Sequence, residues 1–125
     1  DITGGSASLG ANAQTWNCNG SAAQRFVVVD LGGYNLLLRP TNNTDVCIDV
    51  AHVSSDNGAN VHQWTCVGGD NQTWGIDIKN WSTMEVALTA KHSNKCLDDD
   101  VDSHNVQQWS CFASDNQTWY LNKVD

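Results

Sequence analysis

Apolar and polar positions alternate along this chain in short runs, and clusters of Asn, Asp, Ser, Thr and Gly cut the runs apart. Residues 34–39 and 84–89 read as opening strands, 46–50 and 95–98 as second strands, 61–66 and 106–111 as third, and 72–78 and 117–122 as fourth. Turn clusters such as Thr41-Asn42-Asn43-Thr44 and Ser54-Ser55-Asp56-Asn57-Gly58 separate them. No helical stripe persists beyond two turns, so the pattern predicts an all-β fold.

The strands recur with a period. Asp-Asn-Gln-Thr-Trp occurs twice, ending at Trp74 and Trp119, and Gln24-Arg25-Phe26 precedes the first of these by 48 residues. Upstream stand Trp16, Trp64 and Trp109, each followed two residues later by Cys18, Cys66 or Cys111. Cys47-Ile48-Asp49 matches Cys96-Leu97-Asp98, and Asp1 lies as far before Trp16 as Asp49 lies before Trp64. Three copies of one unit account for this register, approximately residues 1–32, 33–80 and 81–125 of a single domain. Three units of four short strands predict a closed threefold β architecture, because closure removes the edges one unit would expose. The first unit lacks an opening strand, and unit length predicts that roughly 15 residues are missing from its start.

The Gln-x-Trp motifs in register with Cys-x-Asp resemble the ricin-B-type β-trefoil, the R-type lectin family, over the whole chain. That family also includes trefoil carbohydrate-binding modules attached to glycosidases. The resemblance implies a β-trefoil with pseudo-threefold symmetry that binds sugars without catalysis and needs no cofactor. It implies sugar pockets built from the Asp of Cys-x-Asp, the first aromatic, and the Asn-Gln before the second. Carried across, these are Asp49, Trp64, Asn71 and Gln72 in the second unit, and Asp98, Trp109, Asn116 and Gln117 in the third. The first unit supplies Asp1, Trp16 and Gln24, but Ala23 replaces the Asn, which ranks its site weakest. Corresponding positions, together with the family's usual bridge, suggest disulfides Cys47–Cys66 and Cys96–Cys111, leaving Cys18 over. Paired cysteines imply an oxidising compartment, so a secreted protein is expected.

The residue types suit the chemistry. A sugar presents an apolar face of C–H bonds, which an aromatic shelf covers, and a rim of hydroxyls, which carboxylates and amides bond. Phe26, Trp74 and Trp119 are expected in the core, one per unit, and Trp81 on the surface. His62 replaces the Gln14 and Gln107 of the other units and reads as a surface histidine. Asp49→Ala is expected to weaken binding with the fold intact. The loop between Asp98 and Trp109 spans 11 positions rather than 15, and its Asp99, Asp100 and Asp102 make it acidic.

Charge and motifs narrow the partners. A net charge of −8 opposes binding to nucleic acid or anionic membranes, and no apolar run is long enough for a membrane span. The four histidines do not cluster and no Cys-x-x-Cys occurs, which argues against zinc. The Asp98–Asp102 run has Ser103 where a calcium loop needs Gly. No nucleophile, phosphate-loop or zinc-protease motif appears, so an enzyme is not expected. Glycans bearing galactose, N-acetylgalactosamine or xylose remain as partners. A xylan-binding module of a larger glycosidase and a β-trefoil protease inhibitor stay open as alternatives, as does an oligomer.

Overall fold

The computed structural model describes residues 1–124 and contains nine strands among them. They are β1 (Phe26–Gly32), β2 (Asn35–Pro40), β3 (Val46–Val50), β4 (Val61–Thr65), β5 (Trp74–Asn80), β6 (Glu85–Ala90), β7 (Cys96–Asp99), β8 (Val106–Trp109) and β9 (Trp119–Tyr120). All pairings between them are antiparallel. No helix among the described residues is long and apolar enough to cross a membrane. The fold is a β-trefoil. Strand limits all fall within two residues of those expected, and the last strand is shortened at both ends to two residues. β1 is the exception in kind: its run of exposed Val27 and Val28 shows no alternation and gives no periodic signal.

Two kinds of hairpin alternate. The β1–β2 and β5–β6 hairpins join successive units, and the β3–β4 and β7–β8 hairpins lie within one. The first unit reduces the latter to a single bridge between Ile2 and Ala13. Strand alternation sends Ile48, Val50, Val61, Val86, Leu88 and Val106 inward to one core with Ile2 and Trp74. Trp74 is fully buried and donates its indole N–H to Ile48 O at 3.1 Å. Trp119 repeats this bond to Leu97 O at 2.9 Å, while Phe26 has no N–H to give, and both are partly buried against the core. Trp81 is exposed, as expected.

Asn12, Asn60 and Asn105 occupy equivalent positions four residues before each shelf tryptophan. Their amides bond head to tail: Asn12 to Asn105 at 3.0 Å, Asn105 to Asn60 at 2.9 Å and Asn60 to Asn12 at 2.7 Å. This ring ties the three units together about the pseudo-threefold axis. An Asn four positions before each Trp is visible in the sequence, but nothing there marks it as a ring.

Candidate functional site

Register builds each site. In the β3–β4 hairpin Cys47 pairs with Trp64 and Asp49 with His62, and in β7–β8 Cys96 pairs with Trp109 and Asp98 with Gln107. Residues two apart on a strand share a face, so the cystine, the carboxylate and the aromatic stand together. Both expected disulfides are present, Cys47–Cys66 and Cys96–Cys111, and Cys18 is free and exposed. The first unit places Asp1 the same way, with Gln14 N donating to Asp1 O at 2.8 Å.

The Asn-Gln pairs lie on single 3-10 turns at Asp70–Gln72 and Asp115–Gln117, which aim both amides at the carboxylate. Asp49 Oδ2 accepts from Asn71 Nδ2 at 3.1 Å and Gln72 Nε2 at 2.8 Å, and its Oδ1 lies 3.0 Å from His62 Nε2. Asp98 repeats the set: Asn116 at 3.0 Å and Gln117 at 2.8 Å on Oδ2, Gln107 at 3.1 Å on Oδ1. Asp1 accepts from Gln24 at 3.0 Å on Oδ2 and Gln14 at 3.1 Å on Oδ1. A carboxylate has about four acceptor positions. Three are filled at Asp49 and Asp98 and two at Asp1, so only Asp1 keeps a free position on each oxygen. The loss of the Asn to Ala23 thus opens acceptor capacity for two neighbouring hydroxyls.

Gln72 and Gln117 are buried beneath their carboxylates, and Gln24 is half-buried. Gln72 is fully buried, and its amide is used by Asp49, Thr65 O and Val67 N. Gln117 does the same with Asp98, Ser110 O and Phe112 N, and Gln24 with Asp1, Asn17 O and Asn19 N. They position the carboxylate and lock the loop behind it. His62 is not a free surface histidine: besides meeting Asp49 it stacks on Trp64, ring centroids 5.5 Å apart and planes 12° from parallel. Among the described residues Asp49 is 4% and Asp98 2% exposed, and both anchor networks. Removing either would leave buried amide donors without an acceptor, so a loss of stability is expected beside any loss of binding.

The shelf aromatics differ in cover. Gly10 lies over Trp64, and a Cβ there would stand 3.7 Å from its Cζ3; Gly58 lies likewise over Trp109 at 3.5 Å. Both glycines have a left-handed φ, +81° and +86°, which favours their having no side chain. Each belongs to the loop of the preceding unit. Buried Gln63 holds the first loop by bonds to Ser6 O and Ser8 O, and buried Gln108 holds the second by bonds to Ser54 O and Asp56 O. Thr15 stands at this position before Trp16 and meets the short third loop only through His104 O and Asp99. Trp16 is accordingly 66% exposed against 44% for Trp64, with Trp109 lower still.

The acidic run closes on itself. Asp100 accepts from the Ser103 hydroxyl and the Asp102 N–H, which together hold its carboxyl below the usual range, the Ser103 bond foremost.

The sequence pattern of the ricin-type beta-trefoil lectin domain matches residues 1–119. The chain belongs to this family. Its role is carbohydrate binding. It superposes on a designed threefold-symmetric protein, ThreeFoil, with a TM-score of 0.92 at 34% identity, covering 99% of this chain and 89% of that one. It superposes on an exo-beta-1,3-galactanase from Clostridium thermocellum with a TM-score of 0.90 at 29% identity, covering 99% of this chain. A cytolysin from Vibrio vulnificus (strain CMCP6) is 33% identical over 66 residues, 50% of this chain. The matches span 27% of the galactanase chain and 13% of the cytolysin.

Proposed function

We propose that this lectin domain reversibly holds terminal galactose-type residues at its three related sites, without chemical change to the sugar. The observation that carries the reading is the threefold recurrence of an anchored carboxylate beside an accessible tryptophan: Asp1 with Trp16, Asp49 with Trp64, Asp98 with Trp109. The indole takes the C–H face of the ring, and the remaining acceptor positions take hydroxyl protons in charge-assisted bonds. Galactose is favoured over xylose by the likeness to a protein described as a galactanase. The two cystines suit an oxidising, extracellular setting.

One shallow site binds weakly, with a Kd on the order of 0.1–1 mM. Sites spaced about the axis raise avidity on a polyvalent glycan by about 100-fold or more. The test is retention on galactose resin with elution by free galactose, run beside N-acetylgalactosamine and xylose resins. Retention on galactose that Trp64→Ala and Trp109→Ala each weaken supports the reading. Retention on xylose alone replaces galactose with xylan, and failure on all three resins overturns it.

A further inference from the structure

The four-residue difference in the third loop has a counterpart in space. A shallow, solvent-open cavity of about 590 Å³ lies between the first and third units, lined by Thr3, Gly10, Asn12, Gln14, Ser103 and Asn105. That volume is within the range of about 300–1,000 Å³ usual for small-ligand pockets. No charged side chain lines it. Its hydroxyls and amides stand beside the apolar Gly10 and Ala11, a mixture that suits a neutral polyhydroxylated ligand with C–H faces.

The cavity joins the first site through Gln14. That side chain lines it while its Nε2 holds Asp1 Oδ1 at 3.1 Å, and its Oε1 has no partner among the described side chains and backbone. Gln14 and Trp16 stand two residues apart on one face, about 7 Å along an extended chain. The Thr3 hydroxyl is also unengaged. In the ring of asparagines, Asn12 donates one N–H and accepts one bond, which leaves one of each. At the other two sites the preceding loop runs up to Gly10 or Gly58, against the shelf tryptophan; the third loop, four residues shorter, gives Trp16 no such cover.

We infer that the first unit's site is a two-ring site, taking a disaccharide whose first sugar rests on Trp16 and Asp1 and whose second enters the cavity between Thr3, Gln14 and Ser103. This rests on the glycan-binding reading above. The second and third sites then take single terminal sugars, because the loops 6–10 and 54–58 wall them off. The short third loop sets the length of glycan that its neighbour accepts.

The experiment follows the indole N–H signals of Trp16, Trp64 and Trp109 by NMR during titration with galactose and with a β-linked galactose disaccharide. The expected result is a gain for the disaccharide of about tenfold at Trp16 and less than about twofold at the other two. Inserting Asp-Asn-Gly-Ala between His104 and Asn105, which restores the long loop, is expected to erase the gain at Trp16 and leave galactose binding unchanged. Thr3→Val, an exposed single change, is expected to lower disaccharide affinity several-fold with galactose affinity unaltered. Galactose binding with no disaccharide gain at Trp16, or with equal gains at all three indoles, overturns the two-ring site alone. Absence of any galactose response at all three indoles overturns the glycan reading beneath it.

Discussion

The first and second sites place the same residue types in the same register, yet they are built to different standards. The second has a cystine behind its aromatic, three donors on a buried carboxylate, a histidine stacked on the shelf and a loop laid over it. The first has two donors on a half-buried carboxylate and an uncovered tryptophan. The third donor, the stacked histidine and the overlying loop each consume an acceptor position or surface that a ligand would use. Rigidity and openness trade against each other on one scaffold, and the contrast can be broken at several points.

The largest difference should appear on deleting the carboxylates. Asp49→Ala strands His62, Asn71 and Gln72 in a buried setting and is expected to cost about 3–5 kcal/mol. Asp1→Ala, with two donors nearer solvent, is expected to cost about 1 kcal/mol. Urea unfolding of both variants checks this, and equal losses would erase the distinction between the sites. Next comes the bridge: Cys47→Ser with Cys66→Ser removes a loop closure that stabilises by about 3 kcal/mol. Cys18→Ser is expected to leave the melting temperature unchanged, which calorimetry reads directly. A small change gives the sharpest test of the loop. Gly10→Ala places a methyl against Trp64 at a left-handed φ, costs about 1 kcal/mol, and weakens galactose binding at Trp64 while sparing galactose on Trp16. Binding at Trp64 unaffected by Gly10→Ala would show that the loop does not limit access there.

The sequence marks the trefoil and the carboxylate–aromatic pairs because both rest on residues repeated at fixed spacing. Trp64, Asp49 and Cys47 need only strand alternation to meet, and alternation can be counted along the chain. The glutamines were harder to place. Gln72 carries the same polar groups whether it faces a ligand or lies beneath a carboxylate, and only the 3-10 turn at Asp70–Gln72 decides. Nothing in the sequence marks Gln63 and Gln108, because their partners are backbone carbonyls of another unit. Carbonyl positions leave no trace in composition. His62 read as surface because its neighbours across the strand pair, Asp49 and Trp64, become neighbours only on folding.

The grip of the first and second loops on the tryptophan of the following unit means that the stretch of chain that repeats and the patch that binds are offset by one unit. An insertion or deletion arising in one copy leaves its own carboxylate and aromatic untouched and rewrites the doorway of the next. Duplicated copies can therefore diverge in what they admit while their binding residues stay identical, and a tally of motif residues alone would score such sites as equivalent. In this lineage of folds, inherited variation at a site is to be sought in the neighbour's loop length as much as in the site itself.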